Sequence, residues 1–117
     1  MKFVTKRIHA FLDYPVAIAL IILPFLLGLG ASNPFAFWLS IATGIAALIL
    51  TILTDHHLGI VRVISYKAHL IVDFLVAIVF ILAPFIFSFK GIDAYYYWIN
   101  GIAVLSVVSL HKPELAV

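Results

Sequence analysis

Two histidine–aspartate pairs hold most of the chemistry open to this chain. His9 precedes Asp13 by four residues and His69 precedes Asp73 by four. In a helix that spacing places imidazole and carboxylate on one face, the acid about 6 Å further along the axis. Such a pair can share a proton or tie a helix to its neighbour. With a second pair opposite, it can also present imidazole nitrogens to haem iron or a transition metal while the carboxylates orient the rings. The chain has no cysteine, so a histidine-based ligand set would suit haem or Zn, Cu, Ni and Fe ions rather than thiolate chemistry. No Ser-His-Asp signature, phosphate loop or paired catalytic carboxylate motif is present, and the chain reads as non-enzymatic.

The other histidines sit differently. His56 and His57 follow Asp55 where a helix should end, and His111 falls near another helix end. Imidazolium there complements the helix dipole, so capping is the expected role, and these residues would join a metal site only if their loop folds inward. Asn100 lies within an apolar run and needs a specific partner, because an unsatisfied amide in lipid costs several kcal/mol.

The two pairs are spaced sixty residues apart, and the surroundings repeat with them: His9-Ala-Phe-Leu-Asp13 returns as His69-Leu-Ile-Val-Asp73, Pro24-Phe25 as Pro84-Phe85, and Trp38 as Trp98. This predicts a single domain over 1–117 built from two tandem copies, 1–59 and 60–117. At 66% hydrophobic and 10% charged residues the chain lies outside the range of soluble domains, so its solvent is lipid. The seven Lys and Arg form no basic stripe, which excludes nucleic acid as a partner.

The 41 residues from Tyr14 to Thr54 contain no charge or histidine, room for two spans joined at Gly28–Pro34. A hydrocarbon core of about 30 Å needs roughly 20 helical residues. Spans are therefore expected at about 8–29, 35–53, 68–89 and 94–110, the last one short. The fold class is an all-α membrane protein of four transmembrane helices, since the runs lack the period-two alternation of barrel strands. Two spans per copy give both copies one orientation, related by a pseudo-twofold along the membrane normal.

Lys2, Lys6, Arg7, Arg62, Lys67 and Lys112 fall on one side of this layout and Lys90 on the other, which predicts an inner-membrane protein with both termini cytoplasmic. Phe35, Phe37, Trp38, Tyr95, Tyr96, Tyr97 and Trp98 then form an outer aromatic belt. The basic, apolar N-terminus imitates a secretory signal, but its counterpart at 69–85 is mid-chain, so the first copy is read as a retained helix. Ser40, Thr43, Gly44, Ala47 and Thr51 make one stripe of small residues, and Asn100, Ala103, Ser106 and Ser109 another. Both are expected to be packing seams. Pro24 and Pro84 are expected to kink their helices.

The order of apolar helix, Pro-aromatic step, short turn and Trp-led second helix resembles the SPW-repeat integral membrane proteins. It covers both halves: Pro24-Phe25 with Trp38 and Gly44, and Pro84-Phe85 with Trp98, Asn100 and Gly101. The name-giving Ser-Pro-Trp reads Leu23-Pro24-Phe25 and Ala83-Pro84-Phe85. The resemblance implies a small bacterial or archaeal membrane protein without an established catalytic role, and it carries over no site residues.

Three functions follow from the residues. The first is a small integral membrane protein whose two-helix units form a four-helix bundle and associate into a homo-oligomer in the lipid bilayer, each carboxylate paired within the protein. The second binds haem or a transition metal through His9 and His69, with Asp13 and Asp73 orienting them. The third is a small proton-coupled transporter, for which an outer-side relay is missing.

Overall fold

The computed structural model describes residues 4–54, 59–61 and 63–110. Four helices follow one another: α1 (Lys6–Leu27), α2 (Pro34–Leu53), α3 (Tyr66–Ile86) and α4 (Ile92–Ser109). The sequence dictates their ends. Thr5, Asn33 and Ser65 cap the first three by accepting the backbone N–H of Ile8, Phe35 and Ala68. Pro34, expected in the turn, is instead the first residue of α2, where its missing N–H costs nothing. Gly28 closes α1 in the left-handed conformation, φ 63°, which a side chain would strain.

α1 pairs with α2 and α3 with α4, giving two hairpins. Each pairing turns on one glycine. A Cβ on Gly44 would lie 2.8 Å from the Ala17 carbonyl oxygen, and one on Gly101 would lie 3.0 Å from that of Ala77. Ala17 and Ala77 occupy matching places in the sequence repeat, as do Ile21 and Ile81, which also crowd the two glycines. Lipid supplies no hydrophobic drive between helices, so this close backbone approach is what holds each hairpin.

α1, α2 and α3 are long and apolar enough to cross a membrane, and the chain is an integral membrane protein. Apolar side chains such as Phe25, Leu26, Phe85 and Ile102 are more than half exposed, as a lipid solvent allows. α4 is less apolar because it carries Asp93, three tyrosines and Asn100. Its buried face is Asp93, Ala94, Tyr96, Tyr97 and Gly101. The expected seam of Asn100, Ala103, Ser106 and Ser109 is therefore a correction: the helix is rotated so that the larger tyrosines are buried, and Ser106 is exposed and bonds its own helix at Ile102. On α2 the seam holds for Ser40, Gly44 and Thr51, which are buried.

The aromatic belt also divides. Trp38 and Tyr95 are 62% and 63% exposed, but Tyr96 and Tyr97 are core. The Tyr97 hydroxyl donates to the Ala36 carbonyl, joining α4 to α2. Pro24 and Pro84 fall in the last turns of α1 and α3 rather than mid-helix, and their carbonyls accept the N–H of Leu29 and Phe89. Pro24 cannot donate to Leu20 O, and Ser40 Oγ fills that acceptor at 2.7 Å. The serine hydrogen being used, Tyr96 donates its hydroxyl to Ser40 Oγ at 2.6 Å.

The bundle is therefore uneven along its length. The packed core, including Leu20, Leu29, Phe80, Phe89 and Tyr97, occupies the end with the short turns. The opposite end, where Val4 N–H meets Leu110 O, holds His9, Asp13, His69 and Asp73.

Candidate functional site

His9 and Asp13 lie in the first two turns of α1, and His69 and Asp73 in the first two turns of α3. The bundle brings all four together. His9 Nε2 is 3.0 Å from Asp13 Oδ1 and 2.8 Å from Asp73 Oδ2. His69 Nε2 is 3.3 Å from Asp13 Oδ2 and 3.3 Å from Asp73 Oδ2. Each histidine thus meets the acid of the other hairpin as well as its own. The imidazoles are buried and the carboxylates nearly so, with side-chain exposures of 12% for Asp13 and 19% for Asp73.

Two residues that sequence reasoning passed over shape the cluster. Tyr66, at the start of α3, is buried and lies edge-on to His9 and stacked on His69, with ring centroids 5.9 and 6.2 Å away. Thr54 fixes a tautomer. Its hydroxyl donates to Leu50 O at 2.6 Å, so at 2.7 Å from His69 Nδ1 it can only accept, and Nδ1 carries a hydrogen. A neutral His69 would then aim the Nε2 lone pair at two carboxylate oxygens 3.3 Å away. That is repulsive unless a positive charge, a proton or a metal ion, sits among these atoms.

One donor atom from each of the four residues falls within 4.8 Å of every other. For a tetrahedral zinc ion, bond lengths of about 2.0–2.2 Å set neighbouring ligands about 3.3–3.6 Å apart. The His69 contacts have that spacing, while the His9 contacts are hydrogen-bond lengths that would open by a few tenths of an ångström. Two neutral imidazoles and two carboxylates carry a charge of about −2, which one divalent cation cancels, and neutrality is what a low-dielectric site demands.

Asn100 lines the cavity above the cluster and donates to the Tyr96 carbonyl of its own helix at 2.8 Å, so its partner is local rather than on a neighbour. His56, His57 and His111, together with Asp55, lie outside the described residues.

A second polar centre, at the turn end, was not anticipated. Asp93 is fully buried and accepts from the N–H groups of Gly30 at 2.9 Å and Ser32 at 3.0 Å and from the Ser32 hydroxyl. Asn33, its counterpart in the repeat, donates back to Phe87 O at 3.1 Å. Burial pushes the Asp93 carboxyl up, but the Ser32 hydroxyl and the backbone N–H groups of Gly30, Ser32 and Asn33 outweigh it and hold the group below the ordinary carboxylate range. The sequence signal was an acid in the first turn of a helix.

No curated protein and no solved structure matches this chain. The model of the SPW repeat domain matches residues 7–111, a stretch that includes both hairpins and the four converging side chains, and the chain belongs to that family.

Proposed function

We propose that this protein binds one divalent transition-metal ion within the membrane, held by His9, Asp13, His69 and Asp73 where α1 meets α3. The observation that carries this reading is the convergence of one ligand atom from each of these four residues within 4.8 Å of one another. Thr54 commits Nδ1 of His69 as a donor, which leaves Nε2 as the atom that would meet the metal. Imidazole and carboxylate together suit zinc or ferrous iron better than a soft ion. A bare ion is favoured over haem, because Asp73 Oδ2 lies within 3.3 Å of both Nε2 atoms and leaves no gap for a porphyrin between the imidazoles. Metal binding would release the protons that otherwise stabilise the cluster.

In this reading the tandem copies face each other across a pseudo-twofold, so that one hairpin supplies half the ligands. The six-to-one distribution of Lys and Arg supports a site at the cytoplasmic side of the inner membrane. The test is metal analysis of detergent-purified protein, stripped with chelator, reloaded with Zn²⁺ and dialysed. One zinc per chain, falling to none in the His69→Ala protein, supports the reading. Equal zinc in both, or none in either, removes it.

A second reading has its own observation. Because each imidazole reaches the acid of the opposite hairpin, the same four groups can hold protons alone and brace α1 against α3. Intact assembly without any metal would favour it.

A further inference from the structure

Between the hairpins the bundle is hollow. A cavity of about 660 Å³, within the range of small-molecule sites, has largely aliphatic walls, with Val16 and Leu20 of α1, Val76 of α3 and Val104 of α4 among them. His9, Asp13, His69 and Asp73 border one end, already paired with one another. Two further polar side chains line the cavity, Thr43 from α2 and Asn100 from α4. Each directly precedes the glycine on which its hairpin packs, Gly44 or Gly101, so the two hold matching places in the two hairpins. They lie about 14 and 12 Å from the starts of their helices, near the middle of a hydrocarbon core of about 30 Å. Asn100 gives one N–H to the Tyr96 carbonyl, which leaves its amide oxygen and second N–H, and the Thr43 hydroxyl makes no hydrogen bond among the described residues. At that depth such groups are costly until something meets them. Ala42, Ala46 and Ala103, also on the cavity wall, are short and exposed, so the wall is low there and the cavity opens to the bilayer.

We propose that this cavity binds a lipid-soluble quinone, one ring oxygen meeting Thr43 on the first hairpin and the other meeting Asn100 on the second. The apolar wall gives little preference over lipid, since lipid tails are as apolar as the wall. The polar pair must therefore decide. A ligand that reaches mid-membrane through hydrocarbon has to be neutral, because a charged head group there is expensive. A phospholipid keeps its polar oxygens in the interfacial region, outside the hydrocarbon where Thr43 and Asn100 lie. A fatty alcohol has one oxygen for two sites. A quinone carries two oxygens on opposite sides of a compact apolar ring, one for each hairpin. Hydroxyl and amide can each donate or accept, so the carbonyls of the quinone and the hydroxyls of its quinol are met alike.

The proposal is independent of the metal reading, because the His–Asp cluster keeps its internal pairing and supplies no bond to the ligand. Native mass spectrometry of the chelator-stripped full chain with decylubiquinone, decylubiquinol or 1-dodecanol tests it. One decylubiquinone per chain is expected, with the quinol binding comparably and the alcohol about 3- to 10-fold more weakly. Thr43→Val and Asn100→Leu should each weaken the quinone by about 3- to 10-fold. Thr43→Val is close to isosteric and keeps the wall, and Thr43→Ser, which retains the hydroxyl, should bind like the parent. Ala46→Leu with Ala103→Leu, which fills the cavity, should abolish binding. No bound quinone, dodecanol bound as tightly as decylubiquinone, or quinone binding unchanged in both Thr43→Val and Asn100→Leu overturns the proposal. Quinone binding without zinc binding upholds it and removes the metal reading alone.

Discussion

His9 Nε2 lies closer to Asp73 Oδ2, 64 residues away on the other hairpin, than to Asp13 Oδ1 on its own helix: 2.8 Å against 3.0 Å. The four-residue spacing that marks each pair in the sequence is thus only half of its chemistry. A buried ion pair between hairpins should couple their stabilities. A double-mutant cycle with His9→Ala and Asp73→Ala, read by thermal unfolding in detergent with chelator present, should give a coupling of about 1–3 kcal/mol. Additive effects would mean that the contact contributes nothing to holding α1 on α3.

Gly44→Ala should destabilise the first hairpin by about 1–3 kcal/mol, because the new methyl meets the Ala17 backbone, which cannot move aside. Gly101→Ala should cost less. Its tightest neighbour is the Ile81 side chain, and the Ala77 carbonyl is 0.2 Å further off (3.0 Å against 2.8 Å). Melting temperatures in the same detergent decide it, and a larger loss at Gly101 would contradict the packing described.

Asp93 sets a pH dependence. Its folded carboxyl is held below the ordinary value of 3.8, so its contribution is fully present above that value and is lost as pH falls toward the folded one. The difference in melting temperature between the parent and Asp93→Asn should therefore be constant near neutrality and shrink below about pH 4. A gap that widens on acidification would show that the carboxyl is not stabilised in its charged form.

The orientation can be read directly in intact cells. A cysteine at Ile92 should react with a membrane-impermeant maleimide from outside, and one at Lys67 only after the membrane is opened. The opposite pattern would invert the orientation and move the proposed metal site to the outer face.

Much of this architecture was legible in the residues. Unbroken apolar runs marked the helices, and the repetition of His9 and Asp13 at His69 and Asp73 marked the cluster. What escaped was whatever depends on the rotation of one helix against another. Tyr96 and Tyr97 have the composition of an interfacial belt, yet their hydroxyls find Ser40 and Ala36, so they turn inward and carry α4 with them. Thr54 gave no signal because its importance lies in a hydrogen bond to a histidine 15 residues on. Asp93 was passed over because its partners, Gly30 and Ser32, belong to the turn of the other hairpin.

The central claim, a cation held jointly by both hairpins, is tested most directly by cobalt substitution. Co²⁺ added to the chelator-stripped protein should develop the intense visible absorption of a tetrahedral nitrogen–oxygen site, saturating at one ion per chain. That absorption should disappear in either His9→Ala or His69→Ala, since each removes a ligand from a different hairpin. A spectrum no different from Co²⁺ in detergent buffer, or one retained in both variants, would contradict the account.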